Sequence, residues 1–355
     1  MRRKNQGRSL FNQKKTWGLA LRFGFLSLLG FLAVIYGAIF LWPVVPSQPN
    51  VQDPAIYRVK IAAQSSLASI AQQLRDQGLS TYALPFQISA RALFISAKLK
   101  PGTYQLPLGA SLGKILLQIA RGDRVRESIA IIPGMTIWQL RALMDSHPAL
   151  IHQTKGISST ALLQSLNLSY VGAEGIFFPD TYIFDPDEPD INIYRRASGA
   201  MQKQINQVWD QKPSNSPLKS PYELLILSSI IEKETGRSSD RGLVAAVFLN
   251  RLNKGMMLQT DPTVIYGIGP RFDGNLRKAD LRKDNPYNTY MNKGLPPTPI
   301  AMPSKESMLA AIHPAKSNAL YFVAKGDGSS HFSETLKEHE SAVDRYQRKL
   351  APKSN

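Results

Sequence analysis

The 355-residue chain contains no cysteine. That absence excludes a disulfide framework, a thiolate metal site and a cysteine nucleophile, so a fold outside the cytoplasm has to be held by its core alone. The five histidines, His147, His152, His313, His331 and His339, show no metal-ligand spacing, and there is no HExxH segment. Neither a metal nor a cofactor is expected. A GxSxG elbow, a phosphate-cradling glycine loop and a dinucleotide fingerprint are also missing, which removes support for serine-hydrolase, nucleotide and redox chemistry. No internal repeat is evident.

Acidic residues are missing from the amino end as well: the first is Asp53. Seven cations (Arg2, Arg3, Lys4, Arg8, Lys14, Lys15 and Arg22) precede it and account for much of the net charge of +17. The sequence FGFLSLLGFLAVIYGAIFL, Phe23 to Leu41, carries no charge and approaches the roughly 20 apolar residues that a helix needs to cross a bilayer. Trp17 and Trp42 flank it as interfacial residues would. A cleaved signal peptide is the alternative, but its apolar core is usually only about 7 to 15 residues and ends at small residues, whereas here Trp-Pro-Val-Val-Pro follows. The basic cluster on the amino side puts the N-terminus in the cytoplasm and the rest of the chain outside. Nucleic acid is thereby removed as a natural partner. The outer part keeps an excess of ten positive charges, which suits an anionic envelope polymer, a lipid surface or simple solubility.

The expected organisation is a basic cytoplasmic tail (residues 1–22), a transmembrane helix (23–42), a Pro/Gln/Asn-rich linker (43–54), a small α+β domain (55–125) and a larger mixed α+β domain (126–350) whose core lies at about 220–346. Within the small domain, Tyr57, Val59 and Ile61 alternate as in a strand. Leu67, Ile70, Ala71 and Leu74 then recur at helical spacing, with Gly78 placed to end the helix. A second helix is expected over residues 85–98, a strand over 103–106, and a helix from Ser111 to Gly122. In the larger domain a strand is expected over 128–132 and a short helix over 136–144. Residues 150–207 read as helices joined by the aromatic loop GIFFPDTYIFDPDE. A polar connector (210–220) leads into an apolar helix, Pro221 to Thr235, and Gly326-Asp327-Gly328 reads as a hairpin turn between YFVA and HFS.

The end of that apolar helix holds the candidate chemistry. In YELLILSSIIEKETG, Glu232 and Glu234 stand two residues apart, and helical geometry sends them to different faces. Glu234 shares a stripe with Leu227, Ile230 and Ile231, while Glu232 points roughly 140° away, outward. Desolvation on the apolar stripe favours the neutral carboxyl, and proximity to the negative helix end, with Gly236 as terminator, adds to it. A carboxyl kept protonated near neutral pH is what glycosidic bond cleavage requires, because the leaving oxygen must be protonated as the sugar gains oxocarbenium character. The competing reading is an acid paired with Lys233 or Arg237. Leu225 and Ile226 make the helix apolar nearly all round, so Glu232 stays a runner-up. The polar string Gln259-Thr260-Asp261-Pro262-Thr263 could bond sugar hydroxyls, and the segments NPYNTY and GLPPTP have the composition of a groove wall on which sugar rings stack.

In order, IIEKETG, VFLNRL, GMMLQTDPTVIYG, YNTY, GLPPTPIAMPS, HPAK and YFVAKGDGSSHFSETLKEH resemble the endolytic murein transglycosylase (YceG-like) family, with EGIFFPDTY and KPGTY upstream. The resemblance implies a small domain similar to a LysM module and a catalytic domain of lytic transglycosylase type. It implies cleavage between N-acetylmuramic acid and N-acetylglucosamine inside nascent peptidoglycan strands, leaving 1,6-anhydro ends and terminating strand growth. Lytic transglycosylases typically place the catalytic Glu before Ser or Thr at a helix end, which matches Glu234-Thr235. By the same similarity the groove positions are Gln259, Thr260, Asp261, Tyr266, Tyr287, Asn288, Thr289 and Tyr290. The implied partners are peptidoglycan glycan strands and the peptidoglycan synthases of the same membrane. A rival reading is a non-catalytic, membrane-anchored scaffold that binds peptidoglycan.

Overall fold

A computed structural model describes residues 6–46 and 56–348. Most of the linker expected over residues 43–54 therefore lies outside the described residues, as do Arg2, Arg3 and Lys4. The chain divides into two compact units, one ending at Arg126 and the other starting at Glu127. Both mix helices and strands, giving an α+β protein.

The first unit opens with helix α1, Gln6–Leu41. Its segment Phe23–Leu41, 19 residues with mean hydropathy 2.3 and only 6% buried, is long and apolar enough to cross a membrane. Strand β1 (Ile56–Ile61), helices α2 (Leu67–Asp76) and α3 (Ala83–Ala92), strand β2 (Gly102–Pro107) and helix α4 (Leu112–Arg121) follow. β1 and β2 pair antiparallel, Val59 opposite Tyr104, so two strands enclose two helices in the order β-α-α-β. Ser66 caps α2 by accepting from the Ser69 N–H, and Gly122 closes α4 at φ 79°. Val59, Leu74, Phe86, Tyr104, Leu116 and Ile119 fill the core. The second helix is shorter than its sequence suggests. It stops at Ala92, because Leu93 caps it and Phe94 turns into the left-handed region at φ 57°.

The second unit begins with β3 (Glu127–Ala130), α5 (Ile137–Ser146), β4 (Leu150–Ile151), α6 (Ser159–Ser165), β5 (Thr181–Phe184), β6 (Glu188–Pro189) and the long α7 (Asp190–Trp209). β3 pairs antiparallel with β5 and β4 runs parallel to β6. The stretch expected to be helices joined by an aromatic loop is thus partly sheet. Tyr182 and Phe184 alternate inward from β5, which the run of neighbouring aromatics in the sequence obscures. Buried Asp190 ties the loop before α6 in place, accepting from the Thr154 hydroxyl at 2.7 Å and from the Gln153 N–H.

The remaining elements are α8 (Pro221–Glu234), α9 (Ser238–Asn253), α10 (Asp261–Ile268), α11 (Lys305–Ile312), the hairpin β7 (Tyr321–Ala324) with β8 (Ser330–Ser333), and α12 (Leu336–Val343). α8 is the central element, packed against α7, α9, α10 and α11, and everything from Leu224 to Ile231 is buried. A helix enclosed on all sides can be apolar all round, which is what Leu225 and Ile226 report. The segment GLPPTP, expected as groove wall, is largely core: Pro296, Thr298 and Pro299 are buried, and the buried run continues through Ile300, whose N–H donates to Ser229 Oγ at 3.0 Å.

Gly175 shows how tightly this segment packs. Its φ is 76°, and a Cβ there would sit 2.4 Å from the Pro299 Cβ. Gly175→Ala combines backbone strain with overpacking and is expected to cost about 2–3 kcal/mol, read as a lower denaturation midpoint of the detergent-solubilised chain.

Candidate active site

Ser220 starts α8, its hydroxyl accepting from the Glu223 N–H at 3.1 Å, with Pro221 at the first helical position. The helix ends at Glu234, because Thr235 is extended (φ −145°, ψ 125°). Gly236, expected as the terminator, does not take a left-handed conformation. The turn into α9 is made by the Thr235 hydroxyl, which accepts from the Arg237 N–H at 3.0 Å. The last helical residue is therefore the acid itself.

Glu234 Oε1 accepts a hydrogen bond from the Thr260 hydroxyl. Thr260 is fixed from behind. Its N–H donates to Thr289 Oγ1 at 3.1 Å, the Gln259 N–H donates to the Thr289 carbonyl at 3.1 Å, and Gln259 adopts φ 48° to make this turn before α10. Beside it the Tyr290 hydroxyl donates to Asp261 Oδ1 at 2.6 Å. Glu234, Gln259, Asp261 and Tyr290 share a cleft of about 460 Å³ whose walls also include Arg251, Tyr321 and His339. Among the described residues no cation forms a salt bridge with Glu234, so the pairing with Lys233 or Arg237 does not arise. Lys233 Nζ turns instead to the Gly134 carbonyl at 3.3 Å.

Burial pushes the Glu234 carboxyl up to about 7. The Thr260 hydrogen bond pulls in the opposite direction, the Asp261 charge adds to the rise and the Arg251 charge offsets it. A group in this range both gives and takes a proton near neutral pH, which is the requirement for one carboxyl to act as acid and then base.

Arg251 was visible in the sequence only as one polar residue on α9. It is 7% exposed, with Nε donating to the Leu320 carbonyl at 2.6 Å and Nη1 to the Leu258 carbonyl at 2.8 Å, and it stands over the Tyr321 ring. The only available signal was a guanidinium two residues after the buried apolar run Val244–Leu249. Glu174, in EGIFFPDTY, is also buried. It accepts from the Ile137 N–H at the start of α5 at 2.9 Å and from Tyr266, and desolvation pushes it up to about 7. It closes a helix end away from the Glu234 cleft.

Of the positions named from the sequence, Gln259, Asp261 and Tyr290 line the same cleft as Glu234, and Thr260 touches the carboxyl. Thr289 and Asn288 are buried beneath. The Asn288 amide donates to the Lys283 carbonyl at 2.8 Å and its oxygen accepts from the Tyr290 N–H, so Asn288 shapes the loop rather than facing the cleft. Tyr266 and Tyr287 belong elsewhere. Tyr266 stacks on Trp138 at 4.9 Å and meets Tyr287 edge-on at 4.8 Å, lining a separate cleft of about 400 Å³ with Lys233 and Phe272. Glu232, read as outward-facing, is half-buried: it accepts from the Ser304 N–H at 2.9 Å and from the Ser304 and Ser307 hydroxyls, pinning the start of α11. Among the described residues no group of three or more His, Asp or Glu is arranged to hold a metal.

With this geometry in place, comparison with known proteins gives a consistent result. Residues 59–345 match the YceG-like family. An endolytic murein transglycosylase of Bacillus subtilis is 34% identical over 334 residues, covering 88% of this chain and 90% of the relative. One from Streptococcus pneumoniae serotype 2 is 29% identical, covering 80% of this chain and 57% of the longer relative. A crystal structure of a yceG-like protein from Listeria monocytogenes superposes with a TM-score of 0.50 at 31% identity, covering 81% of this chain and 98% of that one. The class these relatives define is the lytic transglycosylases, which are lyases rather than hydrolases. This chain belongs to the YceG-like family.

Because the folded-state value of Glu234 is raised, its contribution favours the fold below about pH 4.5 and is lost as pH rises through about 7. Glu234→Gln removes that loss. Its melting temperature should match wild type at pH 4.5 and exceed it at pH 8, as measured by calorimetry at both values.

Proposed function

We propose that the enzyme cleaves the bond between N-acetylmuramic acid and N-acetylglucosamine within peptidoglycan glycan strands, with Glu234 as its single acid and base. The observation that carries this reading is the carboxyl at the end of α8, raised to about 7 and facing a 460 Å³ cleft. The protonated Glu234 gives its proton to the glycosidic oxygen as the C1–O bond breaks and positive charge develops on the muramyl ring. The resulting carboxylate then removes the proton from the muramyl C6 hydroxyl as O6 bonds to C1, which closes the 1,6-anhydro ring and restores the acid. Thr260 holds the carboxyl in place through both half-reactions. The Arg251 charge nearby favours the carboxylate between them. Gln259, Asp261 and Tyr290 present polar groups for sugar hydroxyls and amides.

In this reading Phe23–Leu41 anchors the enzyme in the cytoplasmic membrane, N-terminus inside and both units outside, which suits endolytic cutting of nascent strands and termination of their growth beside the synthases. The β-α-α-β unit serves as a LysM-like module that holds peptidoglycan; its strand pair enclosing two helices supports that assignment.

The purified chain incubated with uncrosslinked glycan should yield anhydro-muramyl ends by mass spectrometry. Reducing ends would indicate hydrolysis instead. Glu234→Gln should lower the rate by roughly 10²- to 10⁴-fold, whereas Glu232→Gln should lower the melting temperature and still produce anhydro ends. A Glu234→Gln chain with wild-type turnover would return the protein to the non-catalytic scaffold reading.

The pH profile offers an independent check. The reaction starts from the protonated acid, so kcat/KM should fall as pH rises through about 7. The Thr260 hydrogen bond lowers the Glu234 value, so Thr260→Val should move this alkaline limb to higher pH. An unmoved limb would contradict the assignment of that limb to Glu234.

A further inference from the structure

The first unit carries an apolar face that its own core does not use. On α3 and its flanks, Phe94 is 84% exposed, Leu84 69%, Tyr82 59% and Ile88 47%. Leu84 and Ile88 are four residues apart and so share one side of the helix. Phe94 has a left-handed backbone (φ 57°), a conformation that a bulky L-residue adopts only at a cost. Apolar surface of this extent on one short helix marks an interaction site.

The position of this face along α1 identifies what it meets. The Tyr36 hydroxyl donates to the Ala92 carbonyl, the last residue of α3, at 2.8 Å. Tyr36 lies inside the apolar segment Phe23–Leu41, five residues before its end, or about 7 Å down the helix axis. The carboxyl end of α3 therefore stands below the level of Leu41 and Trp42. The join is made firm by further contacts of the same kind. Gly113 of α4 faces Ile39 and Phe40, where a Cβ would come within 3 Å of both side chains, and the Val44 N–H donates to the Ala110 carbonyl at 3.0 Å. Between α1 and α3 an apolar cavity of about 510 Å³ opens, walled by Ile39, Trp42, Val44, Tyr82, Pro85 and Leu112.

We propose that this face of the small domain is embedded in the outer leaflet of the membrane that α1 crosses, with Ile88 and Phe94 among the acyl chains and the cavity beside Trp42 filled by a phospholipid tail. The proposal rests on the reading of Phe23–Leu41 as a membrane span. The charges around the face agree with it. Arg91 and Lys98 are exposed at its edge, and the Arg75 guanidinium lies 4.6 Å over the Tyr82 ring, so that long cationic side chains can reach up to lipid phosphates. An exposed Trp42 and Tyr82 are the residues that a membrane interface favours. The domain would then lie against the bilayer, carried by two contacts instead of one.

The absence of cysteine makes the test direct, since each introduced thiol is unique. Full-length Phe31→Cys, Ile88→Cys and Phe94→Cys chains, labelled with an environment-sensitive fluorophore, are reconstituted in phosphatidylethanolamine/phosphatidylglycerol vesicles. At positions 88 and 94 the emission should shift to the blue, be quenched by spin-labelled phospholipid and be shielded from aqueous iodide. Leu84→Cys should be quenched by the same lipid in the otherwise unchanged chain and lose that quenching in an Ile88→Glu/Phe94→Glu background, which separates the face itself from any affinity of the dye. Quenching at position 31 with water-like emission at 88 and 94 would overturn the proposal while leaving the anchor intact. No lipid quenching at position 31 would overturn the anchor reading, and the proposal with it.

Discussion

The site depends on one carboxyl held between a helix end and a hydroxyl. Glu234 closes α8, and α8 is packed by α7, α9, α10 and α11, so the acid stands at the end of a helix buried from Leu224 to Ile231. Its Oε1 meets Thr260, whose own N–H and neighbouring backbone are fastened to Thr289. Burial raises the carboxyl and the hydroxyl lowers it, and the balance near 7 comes from their opposition rather than from either alone. Moving α8 or the turn at Gln259 would disturb the burial and the hydrogen bond together.

The two glutamates of the EKE segment show how one helix serves two ends. At Glu234 the carboxyl faces an open cleft with a single hydroxyl partner. At Glu232 the carboxylate is committed to Ser304 and Ser307 and fixes the start of α11. α11 in turn packs on α8 and α9, so Glu232 holds the scaffold that positions Glu234 two residues on. Glu174 repeats the scaffold role at the start of α5.

Much of this was legible in the sequence, for identifiable reasons. The period of 3.6 separated Glu232 from Glu234 and placed the latter on a stripe with Leu227 and Ile230, both now fully buried. The alternation of Tyr57, Val59 and Ile61, the Gly122 that ends α4, and the Gly-Asp-Gly hairpin are local signals that appear in the structure as elements. What misled was composition without period. The aromatic run around residues 177–184 hid β5, and the proline-rich segment at 294–299 read as a groove wall although Pro296, Thr298 and Pro299 are buried. Side-chain partnership was not legible at all. Nothing in NPYNTY tells that Asn288 is consumed by three carbonyls while Tyr290 faces the cleft, because those partners are set by the tertiary fold.

The central claim is that the Glu234 carboxyl itself titrates near neutrality. Carbon-13 NMR of chains labelled at the glutamate carboxyls measures this without substrate. Two carboxyl resonances, those of Glu174 and Glu234, should titrate near pH 7, and one of them should vanish in Glu234→Gln. A Glu234 resonance with its midpoint near the ordinary value of 4.5 would contradict the account.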